Sequence, residues 1–154
     1  MTASPANEDP DALGAVQRLL QLGEVTKALE TLNSLADSSQ SSVMGQYMRG
    51  VCFRLMRDFA NAESALRQLV EGNPSYGRAF QELGHLYRDA NMPTEALNAY
   101  ATACHLNPGL KASWAAQRDL IGKGSPDRAA QINQRLQWLE SLPPALLASW
   151  DLLH

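Results

Sequence analysis

The sequence has no long apolar run, very little cysteine and no excess of positive charge. No apolar stretch approaches the roughly 18 residues that span a bilayer, so no membrane partner is expected. Lysine and arginine number 13 against 16 aspartates and glutamates, and the net charge of −3 argues against binding nucleic acid or an anionic membrane. What remains is an ordinary soluble composition, 45% apolar and 19% charged, in a chain of one-domain length.

The two cysteines, Cys52 and Cys104, each lie inside an apolar helical pattern. Cysteines in such patterns usually act as small hydrophobic residues, and a disulfide between these two is the less favoured alternative. The first residues, MTASPANEDP, lack the basic and apolar regions of a secretory signal, and we expect residues 1–8 to be a disordered lead. Two unpaired thiols in such a chain favour a cytoplasmic protein.

Side chains capable of chemistry are present, but not at the spacing that chemistry requires. His85, Cys104 and His105 include no close pair of the kind that zinc sites use, and neither cysteine lies at a helix start that would activate it. The glycines around Lys123 resemble a phosphate loop, yet Gly124 stands where a serine or threonine is needed. We therefore predict no metal, no cofactor and no enzyme activity, with a small enzyme using His85 or Cys104 as the minor alternative.

A period of 34 residues runs through most of the chain. Small, apolar and proline positions recur at this interval, including Ala28, Ala62, Ala96 and Ala130, Gly50 and Gly84, Phe53 and Tyr87, and Pro74 and Pro108. Within each interval the apolar residues have helical spacing and fall in two groups, separated by turn residues such as Asp-Ala-Asn-Met-Pro at 89–93. The pattern predicts four helix pairs at residues 9–42, 43–76, 77–110 and 111–142, followed by a C-terminal helix or half-repeat at 143–154.

The small residues have a mechanical interpretation. Gly50 or Gly84 on a first helix, and the alanine near the start of the second, let two backbones approach closely. The third interval resembles a complete tetratricopeptide repeat through Phe80, Leu83, Gly84, Tyr87, Ala96, Tyr100, Ala103 and Pro108. The second resembles it through Gly50, Phe53, Ala62, Leu66 and Pro74.

The outer two repeats resemble the family less closely. The first has Val16 at the glycine position, which suits a terminal repeat, and the last has Arg118 there. The second helix of the last repeat fits better with one residue fewer in its loop, which would put Ala129 at the alanine position. The resemblance covers about residues 9–142 and implies an all-α right-handed superhelix whose groove binds a protein or peptide.

The resemblance also implies which side chains point into that groove. They are Met44, Tyr47, Val51 and Arg54 in one repeat, and Arg78, Gln81, His85 and Arg88 in the next. Arg54 and Arg88 are 34 residues apart and accompany Tyr47 and His85, which favours an extended acidic or C-terminal peptide as the partner. The lysines and asparagines with which some family members hold a partner's C-terminal carboxylate are largely missing. Simple solvation of two surface arginines is the alternative interpretation.

The last residues, ALLASWDLLH, have the apolar pattern of a further helix. An exposed helix carrying Leu146, Leu147 and Trp150 would favour self-association. Residues 141–154 and the general repeat style also resemble, more loosely, bacterial proteins in which such an array precedes a sulfotransferase domain. That resemblance implies a catalytic domain outside this chain.

Overall fold

The computed structural model describes residues 11–152, so the predicted lead at residues 1–8 lies outside the described part. Every regular element between these limits is helical, which confirms the all-α fold class. No helix of this part is both long and apolar enough to cross a membrane. The helices are α1 Ala12–Gln21, α2 Val25–Ser34, α3 Asp37–Ser41, α4 Val43–Leu55, α5 Phe59–Gly72, α6 Gly77–Asp89, α7 Pro93–Leu106, α8 Lys111–Ile121, α9 Pro126–Glu140 and α10 Pro144–Leu152.

The chain forms two compact units, which meet in sequence between Gly72 and Asn73. In the N-terminal unit α1 packs against α2, α4 packs against α5, and both helices of the first pair contact α4. Its core contains Val16, Leu32 and Cys52, all fully buried. In the C-terminal unit α7 packs against α6 and α8, and α9 packs against α8.

Three helical pairs share one turn, in which a residue with left-handed backbone ends the first helix. Gly23, Arg57 and Asn91 have φ values of 77°, 62° and 60°. After Arg57, the N–H of Asp58 donates to the carbonyl of Phe53 at 2.9 Å, and the equivalent bonds follow Gly23 and Asn91. These bonds satisfy carbonyls at the helix end and reverse the chain within three residues.

Each second helix has an alanine as its fourth residue: Ala28, Ala62, Ala96 and Ala129. The first three are fully buried. In the last pair Ala129 is half-buried while Ala130 is exposed, so the alanine position comes one residue earlier than the strict period places it. Ile132 and Leu139 on the same helix are buried, as this shift requires.

The repeat positions predicted from sequence are mostly buried. Gly50, Ala62, Leu83, Gly84, Tyr87, Ala96, Tyr100 and Ala103 are buried, Phe53, Phe80 and Pro108 are half-buried, and Pro74 is exposed in the segment after α5.

The first repeat differs from the expected helix pair. Its second helix, α2, ends at Ser34, and the short helix α3 follows and packs against α4. The approach is close at Gly45, where a Cβ atom would overlap the backbone carbonyl oxygen of Ser39. The glycine therefore makes room for a helix that the repeat pattern did not predict.

Candidate functional site

The residues predicted to line a groove belong to two helices, one in each unit. Helix α4 of the N-terminal unit carries Met44, Tyr47, Val51 and Arg54, and helix α6 of the C-terminal unit carries Arg78, Gln81, His85 and Arg88.

Helix α4 has an apolar stripe that its own unit leaves partly open. Met44 and Leu55 are 41% and 44% exposed, and Tyr47 and Val51 between them are half-buried. These residues recur every three or four positions, so they share one face of the helix. The neighbouring face buries Met48 in the core of the unit. An apolar stripe on the outside of a folded hairpin is a surface that another chain can cover.

The arginines that were predicted to line the groove are exposed or half-buried on both helices. Arg54 and Arg78 are half-buried, and Arg88 is exposed. The Nε atom of Arg88 lies 3.7 Å from Oδ1 of Asp89, a surface ion pair of small energetic weight. Arg88 therefore loses little free energy when its guanidinium leaves Asp89 and binds the carboxylate of a partner.

His85 is held in place by the second helix of its own pair. Its Nδ1 atom lies 2.5 Å from the hydroxyl oxygen of Tyr100, and the two rings meet edge to face with centroids 5.3 Å apart. Tyr100 is fully buried, so it fixes the imidazole at the rim of the α6–α7 interface. His85 is thus a positioned, half-buried ring.

Gln81 differs from its predicted role as a groove residue. The side chain is only 9% exposed, and its Oε1 atom accepts a hydrogen bond of 2.8 Å from the hydroxyl of Ser113 on α8. Ser113 is fully buried. Gln81 therefore joins two first helices inside the C-terminal unit and is not available to a partner.

The two cysteines are buried free thiols. Burial raises the pKa of Cys104 to about 12 and that of Cys52 to about 11. A hydrogen bond of 3.1 Å from Nε2 of Gln117 to the sulfur of Cys104 opposes this rise without overcoming it. Both groups stay protonated at neutral pH, so neither is an activated nucleophile. Within residues 11–152, no three metal-ligating side chains converge on a common point.

Sequence reasoning missed a cluster of two tryptophans and an arginine on α8 and α9. The guanidinium carbon of Arg135 lies over the rings of Trp114 and Trp138, 5.6 Å from each centroid. Arg135 and Trp138 are three residues apart on one helix, which is the only local signal. Trp114 comes from another helix, so the cluster emerges only when α8 and α9 pack together.

Comparison with known proteins gives the family. The tetratricopeptide repeat profile matches residues 13–76 and 56–111, which together span more than half of the chain. A crystal structure of MamA superposes with a TM-score of 0.71 at 21% identity, covering 88% of this chain and 80% of that one. A MamA fragment, residues 41 to the end, from Desulfovibrio magneticus RS-1 gives 0.65 at 17% identity, with coverages of 89% and 76%. At these identities the likeness shows the fold alone.

A search of curated protein sequences gives no match. Nothing in the family match or the structural matches supports the looser sulfotransferase resemblance. The repeat profile, the paired helices and the small residues at their contacts agree, and the chain belongs to the tetratricopeptide repeat family.

Proposed function

We propose that this protein is a non-catalytic scaffold in which the exposed faces of α4 and of α6 each bind acidic peptide segments of partner proteins. The observation that carries the proposal is the apolar stripe on α4, from Met44 through Tyr47 and Val51 to Leu55. It stays partly exposed although Met48 and Cys52 of the same helix are buried in the core of the unit. The family fold supports a protein-interaction role in general.

The charge of the partner follows from the arginines beside these faces. Arg54 accompanies the stripe on α4, and Arg78 and Arg88 lie on α6. A guanidinium can bind a carboxylate through two parallel hydrogen bonds, and aromatic rings such as Tyr47 and His85 supply flat contact area. A peptide with acidic side chains next to apolar ones would satisfy both kinds of group, whereas a basic peptide would be repelled.

The proposal is tested by selecting ligands and then reversing charge at the two faces. Short random peptides displayed on phage are selected on the wild-type protein, and we expect the enriched sequences to combine aspartate or glutamate with large apolar residues. Isothermal titration then compares wild type with the Arg54→Glu, Arg88→Glu double variant. The expected loss is at least about tenfold in affinity, because the attractive charge beside each face becomes repulsive.

A matched control separates local contact from net charge. The Arg67→Glu, Arg128→Glu double variant has the same change in charge, one substitution in each unit, on the second helices α5 and α9. Arg67 already pairs with Glu63 at 2.8 Å on the surface, so its loss costs little stability. Equal binding by wild type and the Arg54, Arg88 double variant would refute the proposed faces. The Arg54→Glu and Arg88→Glu single variants measure how much each face contributes to the affinity.

A second proposal concerns association between copies of the chain through α10. Leu146 is 45% exposed and Leu147 half-buried, while the side chain of Trp150 lies outside the described part. Exposed leucines on a surface helix favour contact with a like helix. Sedimentation of wild type should show a concentration-dependent dimer that Leu146→Glu reduces, with Ala145→Glu as a control on the same helix. A monomer at all concentrations would rule this out.

A further inference from the structure

The cluster of Trp114, Arg135 and Trp138 is prearranged in the C-terminal unit. The indole Nε1 of Trp114 donates a hydrogen bond of 2.8 Å to the backbone oxygen of Pro108, which fixes the half-buried ring of this tryptophan. Trp138 is 47% exposed, and the Arg135 guanidinium lies over both indoles. Cations bind the faces of aromatic rings, so the contacts with both indoles restrain the guanidinium group of Arg135.

Two surface depressions meet at Arg135. The first, of about 340 Å³, lies among α7, α8 and α9 and is lined by Cys104, His105, Trp114 and Gln117 in addition to the arginine. The second, of about 260 Å³, is bounded by Gln131, Gln134 and Trp138 on α9. Arg135 therefore borders both depressions, and each of them also contains a tryptophan ring.

This surface is electrostatically distinctive. None of the described residues that line the two depressions carries a carboxylate, although acidic residues outnumber lysine and arginine 16 to 13 in the chain. Arg135 forms no ion pair with any residue of the described part, and its contacts there are those with the two indole rings. The cation is thus held in position without an acidic partner.

The chemistry of these groups defines a ligand. The N–H edge of a guanidinium matches a carboxylate through two hydrogen bonds, and the indole rings beside it match a flat apolar group. We propose that the surface around Arg135 binds a carboxylate attached to an aromatic group, as in a free aromatic acid or the C-terminal residue of a peptide that ends in an aromatic side chain. The carboxylate pairs with Arg135, and the ring contacts Trp114 or Trp138.

The site is independent of the proposed faces on α4 and α6, because its side chains come from α7, α8 and α9. Gln131 and Gln134 place amide groups in the second depression, where the backbone of a longer ligand can form hydrogen bonds. A peptide end would therefore occupy both depressions, whereas a single aromatic acid fills only one.

Three probes test the site through the tryptophan fluorescence of the protein, since phenylalanine does not contribute to that emission. N-acetyl-phenylalanine has the ring and the carboxylate, its amide lacks the charge, and acetyl-Gly-Gly-Phe adds backbone. We expect saturable binding of both acids and at least about tenfold weaker binding of the amide. A tripeptide that binds about tenfold more tightly than the single residue identifies a peptide end, and equal affinities identify a free aromatic acid.

Variants assign the effect to the cluster. Arg135→Gln should abolish the difference between acid and amide, whereas Arg128→Gln, an equal loss of charge on the same helix outside the depressions, should preserve it. Circular dichroism checks that both variants keep the helical content of wild type. If Arg135→Gln fails to fold, Trp138→Leu replaces a half-exposed ring and should weaken both acids. No saturation by either acid at millimolar concentrations, or equal binding of acid and amide, would overturn the proposal.

Discussion

Gly84 lies so close to Tyr100 that a Cβ atom on the glycine would be 2.6 Å from Cδ1 of the tyrosine ring. Tyr100 is fully buried and its hydroxyl is tied to His85, so the ring has little freedom to move away. The same relationship recurs in the N-terminal unit, where a Cβ atom on Gly50 would lie 2.5 Å from Cδ2 of Leu66. The helices of these two pairs, α4 with α5 and α6 with α7, are therefore set at a distance that only a residue without a side chain permits at this position.

The left-handed turn residue Arg57 predicts a gain in stability on substitution by glycine. Its φ of 62° is unfavourable for a residue with a Cβ atom and is neutral for glycine. Arg57→Ala is the matched control, because both variants lose the contact of the guanidinium with the Phe59 ring, whose centroid is 4.9 Å away. We expect the free energy of unfolding, measured by urea denaturation, to be about 1 kcal/mol higher for the glycine variant than for the alanine variant. Alanine equal to or better than glycine would show that the turn is unstrained.

The buried hydrogen bond between Gln81 and Ser113 predicts a loss of folding stability when one partner is removed. Ser113→Ala takes away the hydroxyl that donates to the Gln81 oxygen, and a buried polar group left without its partner costs about 1–3 kcal/mol. Replacing both residues, with Gln81→Leu added to Ser113→Ala, should recover much of this loss in thermal denaturation. Ser64→Ala, at an exposed serine on α5, controls for the general effect of alanine. A Ser113→Ala variant as stable as wild type would mean that the pair has no structural role.

The buried thiols predict low reactivity in the native state and a loss of stability in alkali. Burial raises the pKa values of Cys52 and Cys104 from 9.0 to about 11 and about 12, so ionisation is easier in the unfolded chain. Their contribution to stability is complete below pH 9.0 and falls as the pH rises toward about 12. A thiol reagent such as DTNB at neutral pH should react slowly with the folded protein and rapidly in denaturant. Rapid reaction of both thiols in the folded protein would contradict their burial.

The helical pairs could be predicted from the sequence because the residues that determine their packing recur as the same residue types. Glycine, alanine and aromatic residues return every 34 positions, since the close helix contact accepts few alternatives. The turn residues Gly23, Arg57 and Asn91 are also 34 apart, but they share only a backbone conformation. Three chemically unlike residues produce no periodic signal, so the shared turn became visible only in the structure.

The first repeat and the candidate faces depend on contacts between distant segments, which could not be predicted from the sequence. Helix α3 depends on the space at Gly45, a contact between segments that no local pattern records. The family resemblance placed Gln81 in a groove, but its partner Ser113 lies 32 residues away and removes it from the surface. The Arg135 cluster likewise joins residues from two helices. Spacing along one helix predicts which residues share a face, and it does not predict which neighbouring helix then covers them.

Close packing at the glycines holds α4 against α5 and α6 against α7, and Gly84→Ala tests this packing most directly. Alanine is otherwise the better helix former, so a loss can come only from the contact with Tyr100. Gly72→Ala is the control, because a Cβ atom there has no neighbour within 4 Å. Urea denaturation should show a loss of about 1–3 kcal/mol for Gly84→Ala and an unchanged or higher stability for Gly72→Ala. A Gly84→Ala variant at least as stable as wild type would contradict the packing described here.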